Sequence, residues 1–220
     1  MKYKAVIFDL DGTLVNSLND LGDSVNTVLK KYGYPEHPIE SYRMMVGNGI
    51  KKLIERALPL NTPTNIADEA LEKFKKIYAI HQLDKTVPYN GIGEMLEKLR
   101  QKHIPLAVCT NKHDDAAKKI IYHLFGQTTF TYIIGDLPGF KRKPDPKKVL
   151  LIAEKMHLNP GEIIYMGDSS VDMQTAVNAD MLPVGVLWGF RSKEELLENG
   201  ARLLLKSPAE LTDKITFIND

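Results

Sequence analysis

Short, continuously apolar runs recur along the chain at residues 5–8, 104–109, 132–134, 163–166 and 184–187, and several end in acids or hydroxyls. Three to six apolar residues without alternation fit strands covered on both faces, as in a parallel sheet. Between the later runs, Val149, Leu150, Ala153 and Met156, then Met173, Ala176 and Val177, fall at helical spacing. Strands alternating with helices predict βαβ units and an α/β fold. Towards the end, Ser192 with Glu195 and Ser207-Pro208 with Glu210 read as capping boxes opening two helices, and Gly200 as a helix C-cap.

The interval between the first two runs is several times what a βα crossover needs. Leu18, Leu21, Val25, Val28 and Leu29 share one helical face, as do Leu53, Ile54 and Ala57, then Ala70, Phe74, Ile77 and Tyr78. Pro35, Pro38, Pro59 and Pro63 punctuate them. The pattern predicts an all-helical insertion over residues 16–84, dividing a core into residues 1–15 and 85–220.

Composition narrows the function more than the fold. Lys+Arg of 29 against Asp+Glu of 28 gives a formal net charge of +1, which does not steer the 220-residue chain towards nucleic acid or an acidic membrane. A single cysteine, Cys109, excludes an internal disulfide, a multi-cysteine zinc site and an iron–sulfur cluster. No apolar run approaches the ~20 residues of a membrane span, and the N-terminal run is too short for a signal-peptide core. The expectation is a soluble, cytoplasmic protein. Cys109 reads as a buried strand thiol.

Four polar constellations stand where strands should end, which is where open α/β sheets bind ligands. In Asp9-Leu10-Asp11-Gly12-Thr13, alternation puts both carboxylates on one side, and Gly12 allows an abrupt turn. Such a pair needs a cation or a shared proton, unless one acid merely caps a helix. Cys109-Thr110-Asn111-Lys112 offers a hydroxyl and backbone N–H groups at a helix N-terminus, suited to an anion or to simple capping. In Lys141-Arg142-Lys143-Pro144-Asp145-Pro146, Pro144 pins Lys143 at a helix start, where its ammonium could neutralise a phosphoryl group or a carboxylate. In Gly167-Asp168-Ser169-Ser170-Val171-Asp172, two acids lie one helical turn apart. Oxygen ligands of this kind suit a hard cation such as Mg²⁺.

In this order, these segments resemble the four motifs of the haloacid dehalogenase superfamily: Asp-x-Asp-Gly-Thr, Ser/Thr, Lys and Gly-Asp-x-x-x-Asp. The resemblance implies a Rossmann-like, doubly wound parallel sheet, with the helical insertion standing where that superfamily's C1 cap stands. It further implies Mg²⁺-dependent phosphoryl transfer, with Asp9 as nucleophile and Asp11 as general acid and then base. Thr110, Asn111 and Lys143 would bind the phosphoryl group. Asp9, the Asp11 backbone carbonyl and Asp168 would coordinate Mg²⁺, with Asp172 in support.

Val46-Gly47-Asn48-Gly49, Thr110-Asn111-Lys112, Lys143-Pro144-Asp145-Pro146 and Val186-Leu187-Trp188-Gly189-Phe190 with Gly200-Ala201 are similar to the phosphoglycolate phosphatase branch. That likeness implies a small phosphorylated substrate, in a monomer or homodimer, with Arg43, Gly47, Asn48 and Gly49 as candidate cap contacts. Lys51, Lys52 and Arg56 follow that loop and otherwise read as the solvated face of a helix. Met44, Met45, Trp188 and Phe190 are expected to pack in the core or between the two parts. Ala179-Asp180-Met181 departs from the branch, which usually has glycine at 180, so Asp180 is expected to take a left-handed conformation there. The same motifs serve pyrophosphatases, nucleotidases and β-phosphoglucomutase-like enzymes, and a non-catalytic phosphate-binding module stands as a further alternative.

Overall fold

A computed structural model describes residues 3–218. Its strands are Ala5–Phe8 (β1), Val15–Asn16 (β2), Val87–Pro88 (β3), Leu106–His113 (β4), Tyr132–Asp136 (β5), Ile163–Gly167 (β6), Leu182–Val186 (β7) and Leu203–Leu205 (β8). Its α-helices are Leu18–Lys31 (α1), Ile50–Ala57 (α2), Thr64–His81 (α3), Ile92–Gln101 (α4), Asp114–Phe125 (α5), Lys147–Lys155 (α6), Ser170–Asn178 (α7), Lys193–Glu198 (α8) and Glu210–Lys214 (α9). Six strands form one parallel sheet in the order β5-β4-β1-β6-β7-β8.

Alternation within each central strand explains the unbroken apolar runs. Val6 and Phe8 of β1, Leu106 and Val108 of β4, and Ile164 and Met166 of β6 face α4, α5 and α9. Their neighbours Ala5, Ile7, Ala107, Cys109, Ile163 and Tyr165 face α6 and α7. Both faces are therefore dry, as the doubly wound reading requires. Because β4 and β6 flank β1 on opposite sides, the chain reverses its winding there. That leaves a crevice beyond the C-terminal ends of the three strands.

The cap is helical and has its own core. Apolar faces of α1, α2 and α3 close over Tyr42, whose hydroxyl donates 2.6 Å to Asn26 Oδ1. Phe190, from the segment after β7, inserts into this cluster and ties the two parts together. The chain leaves and re-enters the core through the paired strands β2 and β3. Beside them, the buried Asp20 carboxylate accepts from Lys85 N, Thr86 N and Thr86 Oγ1. Residues 1–2 and 219–220, at the outer ends of the expected core segments, lie outside the described residues.

Several expectations change in detail. The second run does not start at Ile104, whose N–H closes α4 on the Leu99 carbonyl; the strand starts at Leu106 and continues through His113. Thr110-Asn111-Lys112 is thus extended chain, and α5 begins only at Asp114. The last strand run stops at Val186, so Leu187 lies beyond it. Ser192 caps α8 through Glu195 N, while the Glu195 carboxylate turns to Ser170 N. Ser207 does not cap α9: its carbonyl closes a turn with Glu210 N, and the helix starts at Glu210. Met44 is 64% exposed instead of packed, whereas Met45 lies against the cap core. Gly200 and Asp180 adopt positive φ of 102° and 57° after their helices, as their positions demand. No helix among the described residues is long and apolar enough to cross a membrane.

Candidate active site

Asp9 follows β1 directly, and its N–H bonds to the Met166 carbonyl of the neighbouring strand. Its Oδ1 stands 2.8 Å from Lys143 Nζ. That ammonium also donates to Asp172 Oδ1 at 2.6 Å and to the Tyr165 hydroxyl at 2.9 Å, so Asp9 Oδ1 shares its one close cation with Asp172. Burial, with the charge of Asp172, pushes the Asp9 carboxyl up to about 6 against the opposing pull of Lys143. Lys143 is buried as well. Desolvation alone would lower its pKa, but Asp172 and Asp9 outweigh that and hold it well above the ordinary lysine value.

Asp168 and Asp172 are placed by β6 and the first turn of α7. Ser169 is the N-cap, and Asp172 Oδ2 accepts from Ser169 N at 3.1 Å and Ser169 Oγ at 2.6 Å. Asp168 Oδ2 accepts from Phe190 N at 2.8 Å and Oδ1 from Thr13 Oγ1 at 3.3 Å. Gly12 and Gly189 flank this carboxylate, and a methyl group on either would overlap it. Burial, then the charges of Asp172 and Asp9, drive Asp168 well above the usual carboxylate range.

Asp9, Asp168 and Asp172 offer oxygen atoms lying within 4.8 Å of one another. Of these three buried acids, Asp9 and Asp172 share the Lys143 ammonium, and no close ammonium pairs with Asp168 among the described residues. An all-oxygen donor set with uncompensated negative charge fits a hard divalent cation. Since Lys143, Ser169 and Tyr165 already occupy Asp172, the carboxylates left to hold the cation are those of Asp9 and Asp168.

Asp11 points to the cap side of the same crevice. It accepts from Ser17 Oγ at 2.5 Å and from Lys112 Nζ at 3.0 and 3.1 Å. Lys112 Nζ also donates 2.7 Å to the hydroxyl of Tyr78 on cap helix α3. Thr110 Oγ1 accepts from Lys112 N, which leaves its own hydrogen for an anion. A cleft of about 440 Å³ unites Asp9, Asp11, Thr110, Asn111 and Lys112 with Leu21, Val46, Gly47, Gly49, Ile50 and Leu53 of the cap.

The family model for haloacid dehalogenase-like hydrolases matches residues 6–186. The chain belongs to that family. This hydrolase is 32% identical over 203 residues to a phosphoglycolate phosphatase of Psychrobacter arcticus, covering 89% of this chain and 88% of the relative. It is also 32% identical over 214 residues to one of Chromobacterium violaceum, covering 96% and 95%. A predicted phosphoglycolate phosphatase of Haemophilus somnus 129pt has a similar crystal structure, with a TM-score of 0.90 and 27% identity, covering 97% and 98%.

Other candidates are placed differently in this hydrolase. The Asn111 amide clasps the Lys143 backbone, accepting from its N–H at 2.8 Å, and donates 3.2 Å to the Gly47 carbonyl of the cap. Gly47 and Gly49 line the cleft, but Arg43 and Asn48 do not. Arg43 is held by Glu40 and the Gly189 carbonyl, and Asn48 by Arg56. Trp188 packs against the core and donates 3.0 Å to the Thr13 carbonyl. Burial pushes the Cys109 thiol up to about 11, which keeps it protonated and unreactive near neutral pH. Sequence reasoning overlooked the Tyr78 hydroxyl and Arg191, which donates 2.8 Å to the Val46 carbonyl of the cap.

Proposed function

We propose that this hydrolase is a Mg²⁺-dependent phosphatase acting on a small phosphomonoester, with 2-phosphoglycolate the preferred candidate, through an aspartyl-phosphate on Asp9. The observation that carries this reading is Asp9 itself: a buried carboxylate paired with Lys143, clustered with Asp168 and Asp172, and lining a small cleft that also holds Asp11 and Thr110. The phosphoglycolate phosphatases of similar sequence, and the smallness of the cleft, support the choice of substrate.

Asp9 Oδ attacks phosphorus while the bond to the leaving oxygen breaks; that oxygen keeps the electron pair of the broken bond and takes the proton that Asp11 carries into the step. Asp11, now a carboxylate, takes a proton from water, whose oxygen attacks phosphorus and releases Asp9. Thr110 and Lys143 hold the phosphoryl oxygens, and Lys112 with Ser17 keeps Asp11 aimed into the cleft. Bound Mg²⁺, on Asp9 and Asp168, would supply charge neutralisation between anionic nucleophile and anionic substrate. Cap residues Leu21, Ile50 and Leu53 keep bulk water from the first step. Tyr165 and Asp172 fix the Lys143 ammonium, so that it does not collapse onto Asp9 alone.

The test is phosphate release from 2-phosphoglycolate, pyrophosphate, nucleotides and sugar phosphates, with Mg²⁺ and with chelator, for wild type and Asp9→Asn. Turnover of 2-phosphoglycolate that needs both Mg²⁺ and Asp9 is expected. Activity retained by the variant would refute the nucleophile, and preference for another phosphate ester would refute the substrate.

A further inference from the structure

Lys148, on α6, has no part in the chemistry above, yet only 1% of its surface is exposed. It forms no ion pair among the described residues. Its Nζ donates to two carbonyls instead, Thr110 at 3.2 Å and Gly135 at 3.1 Å. Those carbonyls belong to β4 and β5 where the ladder loses register, between Cys109 and His113. At that break, Gly135 N bonds to the Asp114 side chain and not to β4. An unpaired ammonium buried this deeply is costly, and two neutral carbonyls offset only part of the cost. Burial accordingly lowers the Lys148 pKa, with Cys109 and Asp9 among the opposing influences.

The direction of these bonds matters. Thr110 O reaches towards the β5 side, since its donor also holds Gly135 of β5. Across a trans peptide, the following N–H points the opposite way. In the order β5-β4-β1, the opposite way is towards β1, from whose end Asp9 extends.

We propose that Lys148 is a positioning residue for the phosphoryl subsite: by holding the Thr110 carbonyl it turns the Asn111 N–H towards Asp9, and it places under that amide a positive charge which an anion in the cleft completes. The inference rests on the phosphatase reading and extends it to a residue outside the four motifs. Lys148 touches no substrate; it acts through the Thr110–Asn111 peptide.

The experiment titrates inorganic phosphate into Mg²⁺-loaded protein, by calorimetry and by amide NMR. In wild type, the Asn111 N–H resonance is expected to be among those that move most. Lys148→Met keeps the aliphatic stem and loses the ammonium; its phosphate affinity is expected to fall about tenfold while its Mg²⁺ affinity stays within twofold of wild type. A role confined to packing would move both affinities or neither. Equal phosphate affinity in variant and wild type, or a wild-type Asn111 resonance that phosphate leaves in place, overturns the inference; the second readout needs no variant to fold. Failure of the phosphatase reading looks different: wild type turns over no phosphomonoester although phosphate still titrates Asn111. A wild type that binds no phosphate overturns both.

Discussion

Lys143 Nζ donates a 2.6 Å hydrogen bond to Asp172 Oδ1, a side chain with no exposed surface. Lys143→Met therefore leaves Asp172 buried without a cation, in addition to the charges of Asp9 and Asp168. Loss of one partner from such a pair costs about 3–5 kcal/mol. In chelator, denaturant melts of the variant are expected to show this loss at pH 8 and a smaller one at pH 5, where Asp9 and Asp168 can take up protons.

Asp9 supplies a prediction of opposite sign. Its folded-state pKa of about 6 lies above the ordinary aspartate value of 3.8, so the metal-free folded form binds more protons than the unfolded form between those values. The stability it contributes is present below the unfolded value and is lost as pH rises through about 6. Asp9→Asn is expected to be more stable than wild type at pH 7 in chelator, by up to about 3 kcal/mol, and the gap is expected to close near pH 4. Paired urea melts check it, and Mg²⁺ should shrink the gap by stabilising wild type alone.

Gly189 packs closely on Asp168, and an added Cβ would meet the Asp168 side chain and the Gly12 carbonyl. Gly189→Ala is expected to raise the Mg²⁺ concentration for half-maximal activity by at least about tenfold, as misplacing a ligand's support does. A calorimetric Mg²⁺ titration reads the same change without substrate.

Tyr78 links the cap to Asp11 through Lys112. Tyr78→Phe keeps the ring stacked on Phe74, at 5.4 Å between centroids, and removes only the hydroxyl. One lost hydrogen bond of this kind is worth about 1 kcal/mol. kcat is expected to fall by about that factor, roughly fivefold, with KM little changed; steady-state kinetics decides it.

The parts of this molecule legible in its sequence are those that adjacency encodes. Ala5–Phe8 followed by Asp9 and Asp11 announces a buried strand delivering acids to a sheet edge, because strand period and burial both act within a few residues. The Leu18 to Leu29 stripe announces a cap helix for the same reason. The nearness of Arg43 and Asn48 to Gly47 in sequence said nothing of Glu40, Gly189 and Arg56, which hold them. Lys148 left one trace: it stands one helical turn before Ile152 on a buried face, where a charged residue needs a partner. That its partners are carbonyls on β4 and β5 depends on how α6 packs on the sheet, which no local pattern carries.

The central claim is that phosphoryl transfer passes through Asp9. Rapid acid quench of wild type turning over a phosphate-labelled 2-phosphoglycolate, followed by peptide mapping, tests it most directly. Covalent label on the peptide carrying Asp9, absent in Asp9→Asn, is the expected result. Steady turnover with no covalent label on Asp9, or label that survives in Asp9→Asn, would contradict it.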